Sequence, residues 1–168
     1  DPTFPVQSGW RHLDLSIPAV QNYVRHVIRK VVHEWGYDIL KIDFTYMVMA
    51  AKKYANPEMT AAEIQRLGYE IIRDEAGPNV FIFGIGGPVG LHLGIVDAER
   101  ISLDTLPFWK SDNNGLFANG LLPSYLTFAR RYFYHDRIFI NHLDCLSFRA
   151  SLHRHESMCL ATAIGLLG

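Results

Sequence analysis

Asp43 and Asp104 are the acids of this chain best placed to do chemistry. Each closes a short apolar run, Ile39-Leu40-Lys41-Ile42-Asp43 and Glu99-Arg100-Ile101-Ser102-Leu103-Asp104, with a basic residue two or four positions earlier. A carboxylate at the carboxyl end of a buried strand does little for stability, because it must be solvated or paired. That position is where α/β folds meet their ligands. Two such acids on successive strand–helix units form a candidate acid/base or nucleophile pair.

Lys41 and Asp43 are two apart on a strand, so their side chains share a face. If that face points into a barrel, the ammonium favours the ionised carboxylate, which suits a nucleophile. The competing reading is a buried ion pair that satisfies only itself. Arg100 and Asp104 are four apart in the turn after a strand, and a plain surface pair accounts for that spacing equally well. For Asp104 to act as a general acid it must hold a proton, so burial and the charge of Asp43 would have to oppose Arg100.

Gly84-Ile85-Gly86-Gly87-Pro88 lacks the G-x-G-x-x-G spacing of a dinucleotide loop, and proline stands where a helix N-terminus should receive pyrophosphate. Close backbone approach to a small ligand explains these glycines better. Asn141-His142-Leu143-Asp144-Cys145 has the composition of a ligand set, but the other spacings of a zinc site are missing. His153 and His155, two apart on an expected helix, face different ways and outward. Trp109, after Pro107-Phe108, suits either stacking on a sugar ring or core packing.

The elements that must hold these residues alternate between two hydrophobic periods. Helical spacing over 17–35 predicts a helix with Ser16 as N-cap, Pro18 in its first turn and Gly36 at its end. Residues 37–44 have the apolar density of a buried parallel strand. Thr60 and Glu63 have capping-box spacing ahead of a helix that reaches Ala76 and stops at Gly77-Pro78. Residues 80–83 form the next strand, and another lies around 95–102. A polar loop over 111–115, a helix over 116–134, a strand over 137–142 and a helix over 151–167 complete the chain. Strand–helix units in succession imply right-handed crossovers and a parallel sheet with outer helices. Asp43, the 84–88 loop, Asp104 and Asp144 all fall at carboxyl ends of expected strands, where such a sheet or barrel keeps its site.

At 168 residues the chain can bury one sizeable core, and 49% of it is apolar. No linker, repeat or low-complexity stretch divides it, so residues 1–168 are expected to form a single domain. Sixteen Lys and Arg against 17 Asp and Glu leave a net charge of −1, with no basic stripe for nucleic acid. No apolar run reaches the roughly 18 residues of a membrane span, and no signal peptide is visible. Cys145 and Cys159 make no disulfide framework, and with the missing signal the expectation is a cytoplasmic protein.

Taken in order, these segments resemble the catalytic barrel of glycoside hydrolase family 36, the α-galactosidases or melibiases. Leu13-Asp14-Leu15-Ser16 with Pro18 looks like the family's strand end and helix start, and Trp35-Gly36-Tyr37 leads into Lys41-Ile42-Asp43-Phe44, which resembles its nucleophile strand. Gly84-Ile85-Gly86-Gly87-Pro88 falls where the family has Gly-Cys-Gly-x-Pro, with Ile85 in place of the cysteine. Residues 96–104 resemble the stretch whose R-x-x-x-D carries the acid/base, and Pro107-Phe108-Trp109 follows. Asn141 to Leu146 resembles a segment ending N-D-P-D-C-L, with His142-Leu143 in place of Asp-Pro.

The resemblance implies a (β/α)8 TIM-barrel type of fold, present in part as about four β/α units, since a complete barrel needs roughly 250 residues. It implies Asp43 as nucleophile and Asp104 as acid/base, with Lys41, Arg100, Ile85, Gly86, Trp109 and Asp144 around the sugar. The implied activity is retaining hydrolysis of terminal α-galactosides, with no metal or organic cofactor. The alternatives are galactosyl transfer of the raffinose-synthase type, or an inactive half-barrel that self-associates. The α-galactoside is then the expected partner, together with oligomerisation or missing barrel strands supplied from elsewhere.

Overall fold

The computed structural model describes residues 3–5, 11–110 and 120–167. They group into two compact units, Asp1–Asp97 and Ala98–Gly168. The polar loop expected over 111–115 and the first residues of the helix expected from 116 lie outside the described residues.

In the first unit, β1 (Thr3–Pro5) pairs antiparallel with β2 (Arg11–Leu13). The chain then enters α1 (Pro18–Arg29), whose N-cap is Ile17 rather than Ser16. Ser16 is committed elsewhere. Its N–H and hydroxyl both donate to Oδ1 of buried Asp14 (2.9 and 2.7 Å), and its oxygen accepts from the Asn56 N–H (3.1 Å). Asp14 Oδ2 takes the Ala55 N–H at 2.8 Å, so this pair staples the helix start to residues 55–56. Pro18 occupies the first turn, where its missing N–H costs nothing.

The helix expected to run to Trp35 widens after Arg29 into a π-helical turn, Lys30–Glu34. The Trp35 N–H reaches Lys30 five residues back, and Gly36, with φ of +77°, ends the helix as expected. α2 (Ala61–Ala76) also matches expectation, with Thr60 and Glu63 exchanging both bonds of a capping box. Gly77 leaves the helix at φ +82°, a conformation glycine adopts without a Cβ penalty.

β3 (Ile39–Ile42) and β4 (Phe81–Gly84) pair in parallel, Ile39 against Phe81 and Ile42 against Gly84. β3 is not the doubly buried strand its composition suggests. Only Leu40 is buried, and Ile39 on the opposite face is 61% exposed. The apolar density of the run therefore reflects two different surroundings. Leu40 lies inside, whereas Ile39, Lys41 and Asp43 lie on an uncovered face.

The core of this unit gathers Leu15, Val20 and Ile64, with Val24 and Met59 packed against them. Fully burying side chains such as Ile64 and Ile71 contributes roughly 1.5–3 kcal/mol each. Arg73 ties the end of α2 to the next strand. It donates to the carbonyls of Gly77, Val80 and Ile95 and pairs with Asp97 at 2.5 Å, and Asp97 in turn accepts the Ile82 N–H.

In the second unit, β5 (Ala98–Arg100) pairs in parallel with β6 (Ile140–His142), Ala98 against Ile140 and Arg100 against His142. α3 (Leu121–Arg131) precedes β6, and α4 (Arg154–Leu167) follows it. Leu121, Leu152 and Leu160 form the core. His153 precedes α4 rather than lying on it, so its ring stacks on that of His155, 5.5 Å away, instead of facing a different direction; both are exposed as expected. In chain order, strands β3 to β6 constitute an incomplete parallel sheet flanked by helices, the arrangement of a partial (β/α) barrel. No described helix is long and apolar enough to cross a membrane.

Candidate functional site

Each of the four parallel strands is followed by one of the polar or glycine-rich features singled out above. Asp43 is the first residue past β3, and the glycine turn opens at the last residue of β4. Asp104 lies four residues past β5, and Asp144 two past β6.

In the first unit, Asp43 and Gly86 come together. Asp43 is exposed and its carboxylate accepts the Phe44 N–H at 2.6 Å. Phe44 adopts a left-handed backbone, φ +58° and ψ +21°, which is rare for a bulky residue. Such strain persists only where neighbours over-determine it. Gly86, at φ +64°, supplies one of those neighbours. Its carbonyl accepts the Tyr46 N–H at 2.9 Å, and a Cβ on it would stand 3.0 Å from Asp43 Oδ1. Ile85 is buried, its N–H bonded to the Ile42 carbonyl, so the backbone of this turn rather than the Ile85 side chain lies beside the acid. Lys41 is exposed on the same strand face but forms no ion pair with Asp43 among the described residues. That contact is expected only where this face points into a barrel; here the face is open, and the Asp43 carboxylate turns to the Phe44 N–H instead.

In the second unit, Arg100 gathers two acids that lie 40 residues apart in sequence. Its Nη2 is 2.6 Å from Asp104 Oδ1 and 2.9 Å from Asp144 Oδ2. The guanidinium side chain is 9% exposed, Asp144 20% and Asp104 69%. Arg100 is therefore more than a surface partner of Asp104. It is a largely buried cation whose Nη2 faces one enclosed and one open carboxylate, so a single nitrogen draws both acids to the same point. Asp144, in the left-handed region at φ +77°, also accepts the Thr105 N–H at 2.8 Å and receives the Cys145 thiol. Its own N–H donates to His142 Nδ1 at 3.0 Å. The 102–105 turn is thereby pinned to the β6 end, which leaves the Asp104 carboxylate presented to solvent. Trp109 packs against Leu121, Leu152 and Leu160, in keeping with the core-packing alternative.

Sequence reasoning missed the polar side chains behind the Asp43 turn: Thr45, Gln65, Tyr69 and His92. Gln65 and Tyr69 lie four apart on the inward face of α2, and a glutamine among apolar helix positions was the available signal. It also missed the effect of Asp14 on Tyr54, whose hydroxyl is raised above the ordinary tyrosine value by burial and then by that neighbouring charge. Among the described residues, no three His, Cys, Asp or Glu side chains group as metal ligands.

No family model matches the chain. Among solved structures it is similar to TtGalA, an α-galactosidase from Thermus thermophilus, in complex with stachyose, with a TM-score of 0.77 and 22% identity over 99% of this chain. The same enzyme in complex with p-nitrophenyl α-D-galactopyranoside gives the same TM-score and identity. The chain spans 39% and 37% of the length of those two structures. At this identity the likeness is one of fold, and it extends along nearly the whole chain: the partial barrel described above is similar in architecture to part of that enzyme.

Proposed function

We propose that this chain carries the nucleophile and the acid/base of a retaining glycoside hydrolase that cleaves terminal α-galactosides. The observation that supports the reading most strongly is the succession of strand ends. Asp43, the Gly86 turn, Asp104 and Asp144 follow four consecutive parallel strands of a fold shared with an α-galactosidase. Asp104 is open and paired with Arg100 here, so its acid role requires enclosure in the completed barrel; there it gives its proton to the departing oxygen as the bond from that oxygen to the anomeric carbon breaks. Asp43 bonds to the same carbon, forming a glycosyl ester. Water then loses a proton to Asp104 and bonds to the anomeric carbon, and Asp43 leaves as a carboxylate. A retaining pair works with its carboxyl groups roughly 5–5.5 Å apart.

Lys41, Arg100 and Asp144 serve the sugar hydroxyls, Gly86 admits the ring close to the backbone, and Ile85 backs the glycine turn from beneath. In the working enzyme further strands, from a second copy or from another polypeptide segment, close the barrel around the face of β3 that carries Ile39, Lys41 and Asp43, leaving its carboxyl end open to the sugar. An oligomer on size exclusion that hydrolyses no α-galactoside supports the alternative instead, an inactive half-barrel that self-associates.

The test is Asp43→Gly in the full-length protein, assayed on p-nitrophenyl α-galactopyranoside. Turnover falls at least about a thousandfold and azide restores part of it. Hydrolysis that survives the substitution overturns the assignment.

A further inference from the structure

Behind the Asp43 turn lies a chain of buried polar groups that the proposed reaction does not itself consume. Gln65 and Tyr69 project from α2 and are almost wholly excluded from solvent. The Gln65 amide lies 3.5 Å from Nε2 of His92, which is fully buried after the 3-10 turn Val89–Leu91. The His92 ring lies against the Tyr69 ring with centroids 3.9 Å apart and a tilt of 37°. The Tyr69 hydroxyl then meets Thr45 Oγ1 at 3.3 Å. Gly87 seals the set, since a Cβ there would stand 2.5 Å from His92 Cε1 and 2.7 Å from Thr45 Oγ1.

Thr45 lies between two constrained neighbours. Before it is Phe44 with its left-handed backbone, and after it is Tyr46, whose N–H holds the Gly86 carbonyl. Thr45, Gln65 and Tyr69 also help to wall a cavity of about 290 Å³, so close packing cannot hold the turn from that side. Hydrogen bonds must hold it, and buried polar chains specify one arrangement because any other leaves a group unsatisfied.

We propose that Gln65, His92, Tyr69 and Thr45 form a positioning network that fixes the direction in which Asp43 presents its carboxylate, with the Tyr69–Thr45 contact as its last link. The catalytic consequence rests on Asp43 being the nucleophile; the control of the turn's geometry does not.

The test compares Thr45→Val, Tyr69→Phe and Thr45→Ser. Hydrogen exchange of the Tyr46 amide accelerates about tenfold or more in the first two variants, while the Ile71 and Ile72 amides of α2 keep their parent rates. Thr45→Ser, which retains the oxygen, stays within about threefold of the parent at Tyr46. In the full-length protein, kcat on an α-galactoside falls about tenfold in Thr45→Val with KM unchanged, and Thr45→Ser restores it. Unchanged exchange at Tyr46, or acceleration that extends equally to α2, overturns the network. A parent protein that hydrolyses no α-galactoside removes the nucleophile reading, and the exchange measurement still decides whether the network holds the turn.

Discussion

Gly86 and Asp43 are closely apposed: a Cβ on the glycine would lie 3.0 Å from Asp43 Oδ1 and 3.3 Å from the Phe44 backbone nitrogen, tighter than ordinary packing allows. Two loops from neighbouring parallel strands are thereby matched to within a methyl group. The acid is held from the glycine side by backbone, which does not change rotamer. This makes the glycine turn part of the device that aims Asp43.

Gly86→Ala is expected to destabilise the protein by about 1–2 kcal/mol, because an L-residue at φ +64° meets its own carbonyl. It should also displace the Asp43 carboxylate. Gly87→Ala tests the other side of the same turn, where the obstacle is the buried ring of His92. Overpacking of that kind costs about 1–3 kcal/mol. Urea denaturation of both variants, compared with Gly90→Ala, which meets nothing within 4 Å, checks the order.

Arg100 should matter more to Asp144 than to Asp104. Asp144 is the more enclosed carboxylate and uses the same oxygen for the Thr105 N–H, so Asp144→Asn is expected to cost about 1–3 kcal/mol. Asp104→Asn removes a pair whose acid is mostly in water and should change stability by less than about 1 kcal/mol. Equal losses in urea unfolding would mean that the guanidinium serves both acids alike. Arg100→Met, which strands both carboxylates, should exceed either.

The capping box of α2 carries a pH signature. The Thr60 N–H, and then the Thr60 hydroxyl, hold the Glu63 carboxyl below the ordinary glutamate range. A depressed value in the folded state means stabilisation that is complete at neutral pH and fades as the pH falls through about 4.3 and below. The melting temperature of Glu63→Gln should therefore lie below that of the parent at pH 7 and converge with it in acid. Thr60→Ala, which removes the cap acceptor as well, is expected to cost about 1 kcal/mol at neutral pH. A Glu63→Gln difference that stays constant with pH would rule out the carboxylate as the capping group.

Several elements were legible because their signals are local. Thr60 and Glu63 announce the start of α2, since a three-residue spacing is all that a capping box requires, and Gly77 announces its end. Gly36 marks the close of the first helix for the same reason. The π-helical turn that precedes it left no such mark, and Ser16 was misread as a cap because its hydroxyl is taken by Asp14 and Asn56, the latter 40 residues away. The exposure of Ile39 was hidden likewise: a run of apolar residues reports hydrophobicity, not which of its faces is covered.

By itself the sequence determined the alternation of strands and helices and the position of an acid or glycine turn after each strand, because periodicity and end signals operate within a few residues. Only the tertiary structure decided which of those residues meet. Gly86 lies on Asp43, Arg100 joins Asp104 to Asp144, and Tyr69 carries His92 and Thr45, all across stretches of chain that no spacing rule spans. Contacts of that kind depend on how parallel strands close on one another in register, and that register is set by packing summed over the whole unit rather than by any motif.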